Sequence, residues 1–229
     1  GQSCLVIGLG AGLIPGWYQH QGVDTDVVDI DPAVVELAGR YFDYNDDGKV
    51  QIQDARYFLN NTTRQYDYLI LDVFNGDTTP AYLLSLEAVK LFAQRMTQDA
   101  VLGINLVGSL KRESMMTASV VKTLKLAFDQ VEIYPTFDPA QGDGSGNLVI
   151  VAYRGEPRQV DWQALKQYPV DTYAYAEVWE TIGKRFDFAE NTPAIVLTDD
   201  CNPIDFYDAG LRESVRRQII QSTDWDMLL

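Results

Sequence analysis

The chain reads LVIGLGAG at residues 5–12 and VVDIDP at residues 27–32. An apolar run that enters a glycine-rich turn, followed by a helix, a second strand and a carboxylate, is typical of a nucleoside-cofactor site. Glycines let the backbone pass close to a ligand and adopt positive φ angles. The helix N-terminus behind them offers free N–H groups. We therefore expect Gly8, Gly10 and Gly12 to bind the cofactor.

The spacing of these glycines indicates which cofactor binds. A dinucleotide fingerprint needs G-x-G-x-x-G, whereas here the third glycine falls at Gly12 and Leu13 follows it. A G-x-G-x-G turn, followed by a second strand that ends in an acidic residue, favours an S-adenosylmethionine-type ligand over a nicotinamide or flavin cofactor. Asp29, about 20 residues further on, is expected to accept hydrogen bonds from the ribose hydroxyls, with Ile30 beside it.

Composition limits the function classes. The 229 residues are 46% apolar and 22% charged, as in ordinary soluble globular proteins. The net charge of −15 argues against nucleic-acid binding, which needs a basic surface, and is compatible with a small cationic amine as substrate. No apolar stretch is long enough to cross a membrane. Cys4 and Cys201 have no metal or redox spacing, so we expect no metal and two free thiols in a reducing cytoplasm.

Strand and helix patterns alternate with short connections over residues 4–154, which is typical of an α/β fold. Residues 66–74 are almost continuously apolar, as expected of a central parallel strand covered on both faces. The patterns at 130–136 and 147–153 predict antiparallel neighbours. The prediction is a doubly wound, mostly parallel seven-stranded sheet with helices on both faces and the last strand antiparallel.

The composition changes after residue 155. A helix is predicted over 172–186, an extended segment ending in acids over 195–200, and a last helix at about 210–221. We interpret residues 1–155 as a nucleoside-binding domain and residues 156–229 as an extension that packs on the same domain.

Acidic residues follow several predicted strands. Ligands of an open parallel sheet bind beyond the carboxyl ends of its strands, so these acids are expected to meet at one edge. Asp72 ends the central strand, and we expect it in the active site because uncompensated burial of a carboxylate is costly. Asp77 follows, either as a catalytic residue or as a turn former. Asp54, with Ala55, is expected to hold an adenine amino group or, equally, to cap the next helix.

Two other polar residues have simpler interpretations. Asp31 precedes Pro32 and is interpreted as a helix N-cap. His20, the only histidine, follows the first helix on the side away from the strand ends, and is interpreted as a surface residue. Any general base is then a carboxylate, tyrosine or lysine, and hydrolysis by a Ser/His/Asp triad is excluded.

These segments resemble the spermidine synthase family, whose members are aminopropyltransferases with the class I methyltransferase fold. The similarity runs over residues 4–154, and the sequence LTDDCNPID at 197–205 looks like the closing segment of spermidine-synthase-like bacterial proteins. The resemblance implies that Asp72 lies beside the reacting centre. It also implies that four residues bind the adenosyl ligand: Gly8, Gly10, Asp29 and Asp54.

The chain departs from the synthases at four points. Their glycine turn carries an Asp that contacts the aminopropyl end of the donor, and Ala11 stands there in this sequence. Their fourth strand is followed by an Asp that deprotonates the attacking amine, where this chain has Asn75. Near the end of the fifth strand, where the synthases have a glutamine, this chain has Asn105 and its neighbours. The sequence also does not include their N-terminal β-hairpin domain, which forms part of the oligomer interface, so homodimer formation stays open.

The leading expectation is transfer of an aminopropyl group from decarboxylated S-adenosylmethionine to a polyamine such as putrescine. Asp72 and Asp77 would hold the cationic amine and take its proton during displacement at the carbon bonded to sulfur. One alternative is an S-adenosylmethionine-dependent methyltransferase, which Ala11 and Asn75 favour. Another is a non-catalytic nucleoside-binding domain of a larger protein fused to a membrane domain.

Overall fold

The computed structural model describes residues 1–74, 79–111, 114–142, 144–167, 172–207 and 220. The strands in this part of the chain are β1 (Ser3–Ile7), β2 (Asp24–Asp29), β3 (Val50–Ile52), β4 (Tyr66–Leu71), β5 (Met96–Ser109), β6 (Gln130–Pro135) and β7 (Ser145–Tyr153). The α-helices are α1 (Leu13–His20), α2 (Pro32–Tyr41), α3 (Ala55–Asn61), α4 (Leu86–Gln94), α5 (Met115–Leu124), α6 (Trp162–Leu165), α7 (Thr172–Gly183) and α8 (Ile204–Tyr207).

The strands form one seven-stranded sheet in the order β3-β2-β1-β4-β5-β7-β6. Strands β1 to β5 pair in parallel, and β7 runs antiparallel between β5 and β6. This arrangement confirms the predicted mostly parallel sheet with an antiparallel last strand. The strand order reverses between β1 and β4, where the carboxyl ends of the two strands open the crevice in which such sheets bind ligands.

Both faces of the sheet are covered. Successive side chains of β1 point to opposite faces. Leu5 and Ile7 are buried in the larger cluster, which includes side chains from α3, α4 and α5. Cys4 and Val6 pack with side chains from α1 and α2 in the smaller cluster. Burial on both faces explains why the central strands are apolar runs rather than alternating patterns.

The two cysteines are free, as predicted. Burial, with a smaller contribution from the charge of Asp26, raises the pKa of the Cys4 thiol to about 12. This thiol is therefore protonated at neutral pH and serves as a small apolar side chain in the smaller cluster.

Residues after Gly155 contact the sheet and its helices. Helix α7 begins where the predicted helix begins and ends at Gly183 rather than at 186. The segment 195–200 is extended and then turns back, so that Thr198 and Cys201 form an isolated bridge. The predicted helix at 210–221 lies outside the described residues except for residue 220. No helix in the described part is long and apolar enough to cross a membrane.

Candidate active site

The glycine turn joins β1 to α1 at the point where the strand order reverses, and its glycines have positive φ angles of 95° (Gly8), 53° (Gly10) and 77° (Gly12). A Cβ atom on Gly8 would lie 2.1 Å from the carbonyl oxygen of Asp72, and one on Gly12 would lie 2.5 Å from the ring of Tyr44. A Cβ atom on Gly10 would meet nothing within 4 Å. Contacts inside the protein therefore require glycine at two positions, while Gly10 borders open space.

Asp29 supports this turn directly. Its Oδ2 accepts the N–H of Leu9 at 2.8 Å, and its Oδ1 accepts the N–H of Asp31 at 2.9 Å. A carboxylate oxygen has two lone pairs, so each oxygen retains acceptor capacity for a ligand hydroxyl. Ile30, whose side chain is exposed, adds apolar surface next to the carboxylate. Ribose binding by Asp29 stays a prediction, and the structure adds a second role that the sequence did not indicate.

Asp54 caps α3, which is one of the two roles that the sequence left open. Its Oδ1 accepts the N–H of Tyr57 at 2.9 Å, and its Oδ2 accepts the hydroxyl of Tyr82 at 2.9 Å. Burial, followed by the hydrogen bond to Asp54, raises the pKa of Tyr82 to about 12, so the hydroxyl remains a donor at neutral pH. Sequence reasoning did not identify Tyr82. Adenine binding by Asp54 stays a prediction.

Four of the predicted binding residues line one small cleft at the carboxyl ends of β1 and β2: Gly8, Asp29, Ile30 and Ala55. The other lining residues are Ile7, Val28, Gln53, Val73, Tyr82 and Leu83. Most of this surface is apolar, with the carboxylate of Asp29 and the Tyr82 hydroxyl among its polar groups.

Asp72 follows β4, next to the cleft. Its backbone N–H donates to the carbonyl oxygen of Ile7 at 2.9 Å, which ties the ends of β1 and β4 together. Its Oδ1 accepts the Nδ2 amide of Asn105, on β5, at 2.9 Å. The carboxylate is partly buried and held at the strand ends, as predicted from its place in the sequence. Asp77, the other predicted catalytic residue, and Asn75 lie outside the described residues.

Asp31 and His20 lie where the sequence predicted them. Asp31 caps α2, accepting the N–H of Ala33 at 2.9 Å, and Pro32 occupies the first helical position. His20 ends α1, with its Nδ1 atom 3.0 Å from the carbonyl oxygen of Gly16. Among the described residues, no group of three or more His, Cys, Asp or Glu side chains is arranged to hold a metal ion.

A larger cavity of about 590 Å³ lies elsewhere, lined by residues of β5, β6, β7 and α7. Aliphatic side chains such as Val101, Val151 and Val178 dominate its lining. The carboxylate of its buried acid, Glu132, already accepts hydrogen bonds from Tyr134, Tyr153 and Arg185. None of the predicted site residues lines this cavity, so we assign the candidate active site to the smaller cleft at the strand ends.

Residues 4–154 match the sequence profile of the spermine/spermidine synthase domain. An N-terminal histidine N-methyltransferase from Emericella nidulans is 34% identical over 165 residues, which is 69% of this chain and 29% of that protein. A polyamine aminopropyltransferase from Vibrio vulnificus is 32% identical over 117 residues, which is 48% of this chain and 39% of that protein. The match thus covers well under half the length of each relative.

Among solved structures, the crystal structure of a probable spermidine synthase from Corynebacterium glutamicum has a TM-score of 0.66 to this chain. The sequence identity is 20%, and the superposition covers 85% of this chain and 71% of that one. At this identity the likeness shows a shared fold.

Proposed function

This chain belongs to the spermine/spermidine synthase domain family, and we propose that it transfers an alkyl group from the sulfonium of an adenosyl donor to an amine nitrogen. One observation carries the proposal: Gly8, Asp29, Ile30 and Ala55 line a single cleft, and the carboxylate-bearing strand end at Asp72 adjoins it. In this arrangement a nucleoside lies over the cleft, which has a volume of about 40 Å³, and directs its sulfonium toward Asp72.

The proposed reaction is a direct displacement. The amine lone pair attacks the carbon bonded to sulfur, the carbon–sulfur bond breaks, and the electron pair stays on sulfur as a neutral thioether. The nitrogen then loses a proton. The protein contributes chiefly by aligning the two reactants, and Asp72, fixed by Asn105, stabilises the cationic amine and receives the proton.

Methyl transfer from S-adenosylmethionine is the form that the described residues support best. S-adenosylmethionine has a carboxylate that the decarboxylated donor lacks, and the uncharged Ala11 of the glycine turn leaves room for it where an acidic side chain would repel it. The name of the Emericella nidulans relative describes transfer of a methyl group to nitrogen, and this relative matches more of the chain than the Vibrio vulnificus protein does. Both observations favour a methyl group as the alkyl group.

Aminopropyl transfer from decarboxylated S-adenosylmethionine to a polyamine is the second candidate. The match to the spermine/spermidine synthase domain and the Vibrio vulnificus polyamine aminopropyltransferase support it. The net charge of −15 also raises the local concentration of cationic amines.

Mass spectrometry of the acceptor distinguishes the two forms. The chain is incubated with each donor and two acceptors, putrescine and a peptide with an N-terminal histidine. We expect one added methyl group from S-adenosylmethionine, and no product from the decarboxylated donor. An added aminopropyl group on putrescine would establish the second candidate, and an unmodified acceptor in every mixture would contradict alkyl transfer to these amines.

Asp72→Asn tests the proposed role of the carboxylate. The substitution keeps the shape and an oxygen acceptor for Asn105 but removes the charge and the base. Loss of a general base lowers turnover by about 100-fold or more, whereas nucleoside affinity should change little. Steady-state kinetics with S-adenosylmethionine measures the first quantity and calorimetry the second. Asp31→Asn, which alters a helix cap at the same edge of the sheet, is the control. A normal turnover number in Asp72→Asn would remove Asp72 from the mechanism.

A further inference from the structure

Residues 197–204 lie against residues 81–86. Tyr82 and Leu83 of that stretch form one wall of the cleft. The N–H of Leu86 donates to the carbonyl oxygen of Leu197 at 2.8 Å. The Nδ2 amide of Asn202 donates to the carbonyl oxygen of Ala81 at 2.6 Å. Ala81 directly precedes Tyr82, whose side chain lines the cleft. A segment beyond the residues matched by the family profile therefore contacts the back of the candidate site.

Asp199 makes most of the polar contacts in this segment. Both its oxygens accept from the guanidinium of Arg56, at 2.8 and 2.7 Å, and Oδ1 also accepts the hydroxyl of Ser85 at 2.6 Å. A bidentate ion pair between a guanidinium and a carboxylate fixes the orientation of both side chains. The hydrogen bonds from Arg56 and then Ser85 lower the pKa of Asp199, so the carboxylate is charged at neutral pH.

One of these donors leads from Asp199 to the cleft. Arg56 Nη1 also donates to the backbone carbonyl oxygen of Tyr82 at 3.3 Å, whereas the single hydroxyl hydrogen of Ser85 is directed to Asp199. Arg56 belongs to α3, the helix capped by Asp54, and Asp54 accepts the Tyr82 hydroxyl. Tyr82 is thus held at its carbonyl by Arg56, which Asp199 binds, and at its hydroxyl by Asp54, the cap of the helix that carries Arg56.

Attachment of the segment alone does not require these contacts. The N–H of Leu197 donates to Thr123 Oγ1 at 2.9 Å, and the N–H of Ile195 donates to Ser119 Oγ at 3.0 Å. Both acceptors lie on α5, away from the cleft. The segment is therefore also anchored on α5, and among the contacts named here only that of Asp199 with Arg56 leads to a residue that lines the candidate site.

We propose that Asp199 is a positioning residue of the nucleoside cleft, acting on Tyr82 through Arg56. This inference rests on the proposed function, since it assumes that an adenosyl ligand occupies the cleft. A consequence is that the cleft is not completed by the matched residues 4–154 and needs residues 197–204 to fix one wall.

Calorimetric titration of the full chain with 5′-methylthioadenosine tests the inference. We expect Asp199→Asn to weaken binding by about tenfold, a size typical of coupling through a shared hydrogen-bond network. Arg56→Lys keeps the charge but cannot make the paired contact, and should weaken binding in the same direction. Ser119→Ala, which removes one of the two contacts on α5, is the matched control and should bind normally.

A double substitution separates positioning from general loosening. With Tyr82→Ala already present, the side chain that Asp199 positions is absent, and adding Asp199→Asn should cost less than twofold further. An equal loss with and without Tyr82→Ala, or unchanged affinity in Asp199→Asn alone, overturns the inference while leaving the proposed function in place. If the unsubstituted chain binds neither 5′-methylthioadenosine nor S-adenosylhomocysteine, the proposed function fails and the inference fails with it.

Discussion

Gly8→Ala is expected to unfold the chain at a markedly lower temperature than the unsubstituted protein. The added methyl group would lie 2.1 Å from the carbonyl oxygen of Asp72, a backbone atom that cannot rotate away. Overpacking costs about 1–3 kcal/mol, and a side chain at positive φ adds about 1–2 kcal/mol. For a chain of this length the sum corresponds to a melting temperature lower by roughly 10 °C, measurable by circular dichroism.

Gly10→Ala is the matched control for this substitution. Gly10 also has a positive φ, but its added Cβ would have no neighbour within 4 Å. Only the conformational cost of about 1–2 kcal/mol then applies. If Gly8→Ala and Gly10→Ala melt within two or so degrees of each other, the close approach of β1 and β4 at Asp72 is not present in the folded protein.

Asp29→Ala is expected to abolish most of the affinity for adenosyl ligands. The substitution removes the acceptor for the ribose hydroxyls and the support that Asp29 gives to the N–H of Leu9 in the glycine turn. Hydrogen bonds to a charged group contribute about 1.5–3 kcal/mol each. Loss of two such bonds predicts affinity lower by about 100-fold or more, measured by calorimetric titration with S-adenosylhomocysteine.

Asp31→Ala provides the comparison, because it removes a neighbouring carboxylate with a purely structural role. Loss of this helix cap costs about 1 kcal/mol of stability and should leave ligand affinity unchanged. A ligand analogue without the ribose 2′-hydroxyl should bind the unsubstituted chain less tightly, yet bind Asp29→Ala as weakly as the parent ligand does. Equal affinities in Asp29→Ala and Asp31→Ala would show that Asp29 only supports the turn.

The features that were predictable from sequence are those set by neighbours along the chain. Glycine at position 8 and the helix cap at Asp31 follow from local backbone geometry. The strand end at Asp72 follows from the apolar run before it, since a buried parallel strand is apolar on both faces. The fold class could therefore be derived from the alternation of such segments.

The contacts that complete the site could not be derived in this way. Tyr82 forms a hydrogen bond with Asp54, which is 28 residues away in the sequence. Asp72 forms one with Asn105, which is 33 residues away. Asp199 and Arg56 are separated by 143 residues. No periodic or capping pattern encodes such pairs, because they depend on which strand ends the fold places side by side. For Asp54, this explains why the sequence left its role open between helix cap and ligand contact.

The central claim is that the cleft beside the glycine turn is an adenosyl site, and direct titration tests it most simply. The unsubstituted chain is titrated with S-adenosylhomocysteine and, separately, with 5′-methylthioadenosine in a calorimeter. We predict saturable binding of one nucleoside per chain, which Asp29→Ala removes. A folded chain that binds neither nucleoside, or that binds them equally well after Asp29→Ala, would contradict the assignment of this cleft.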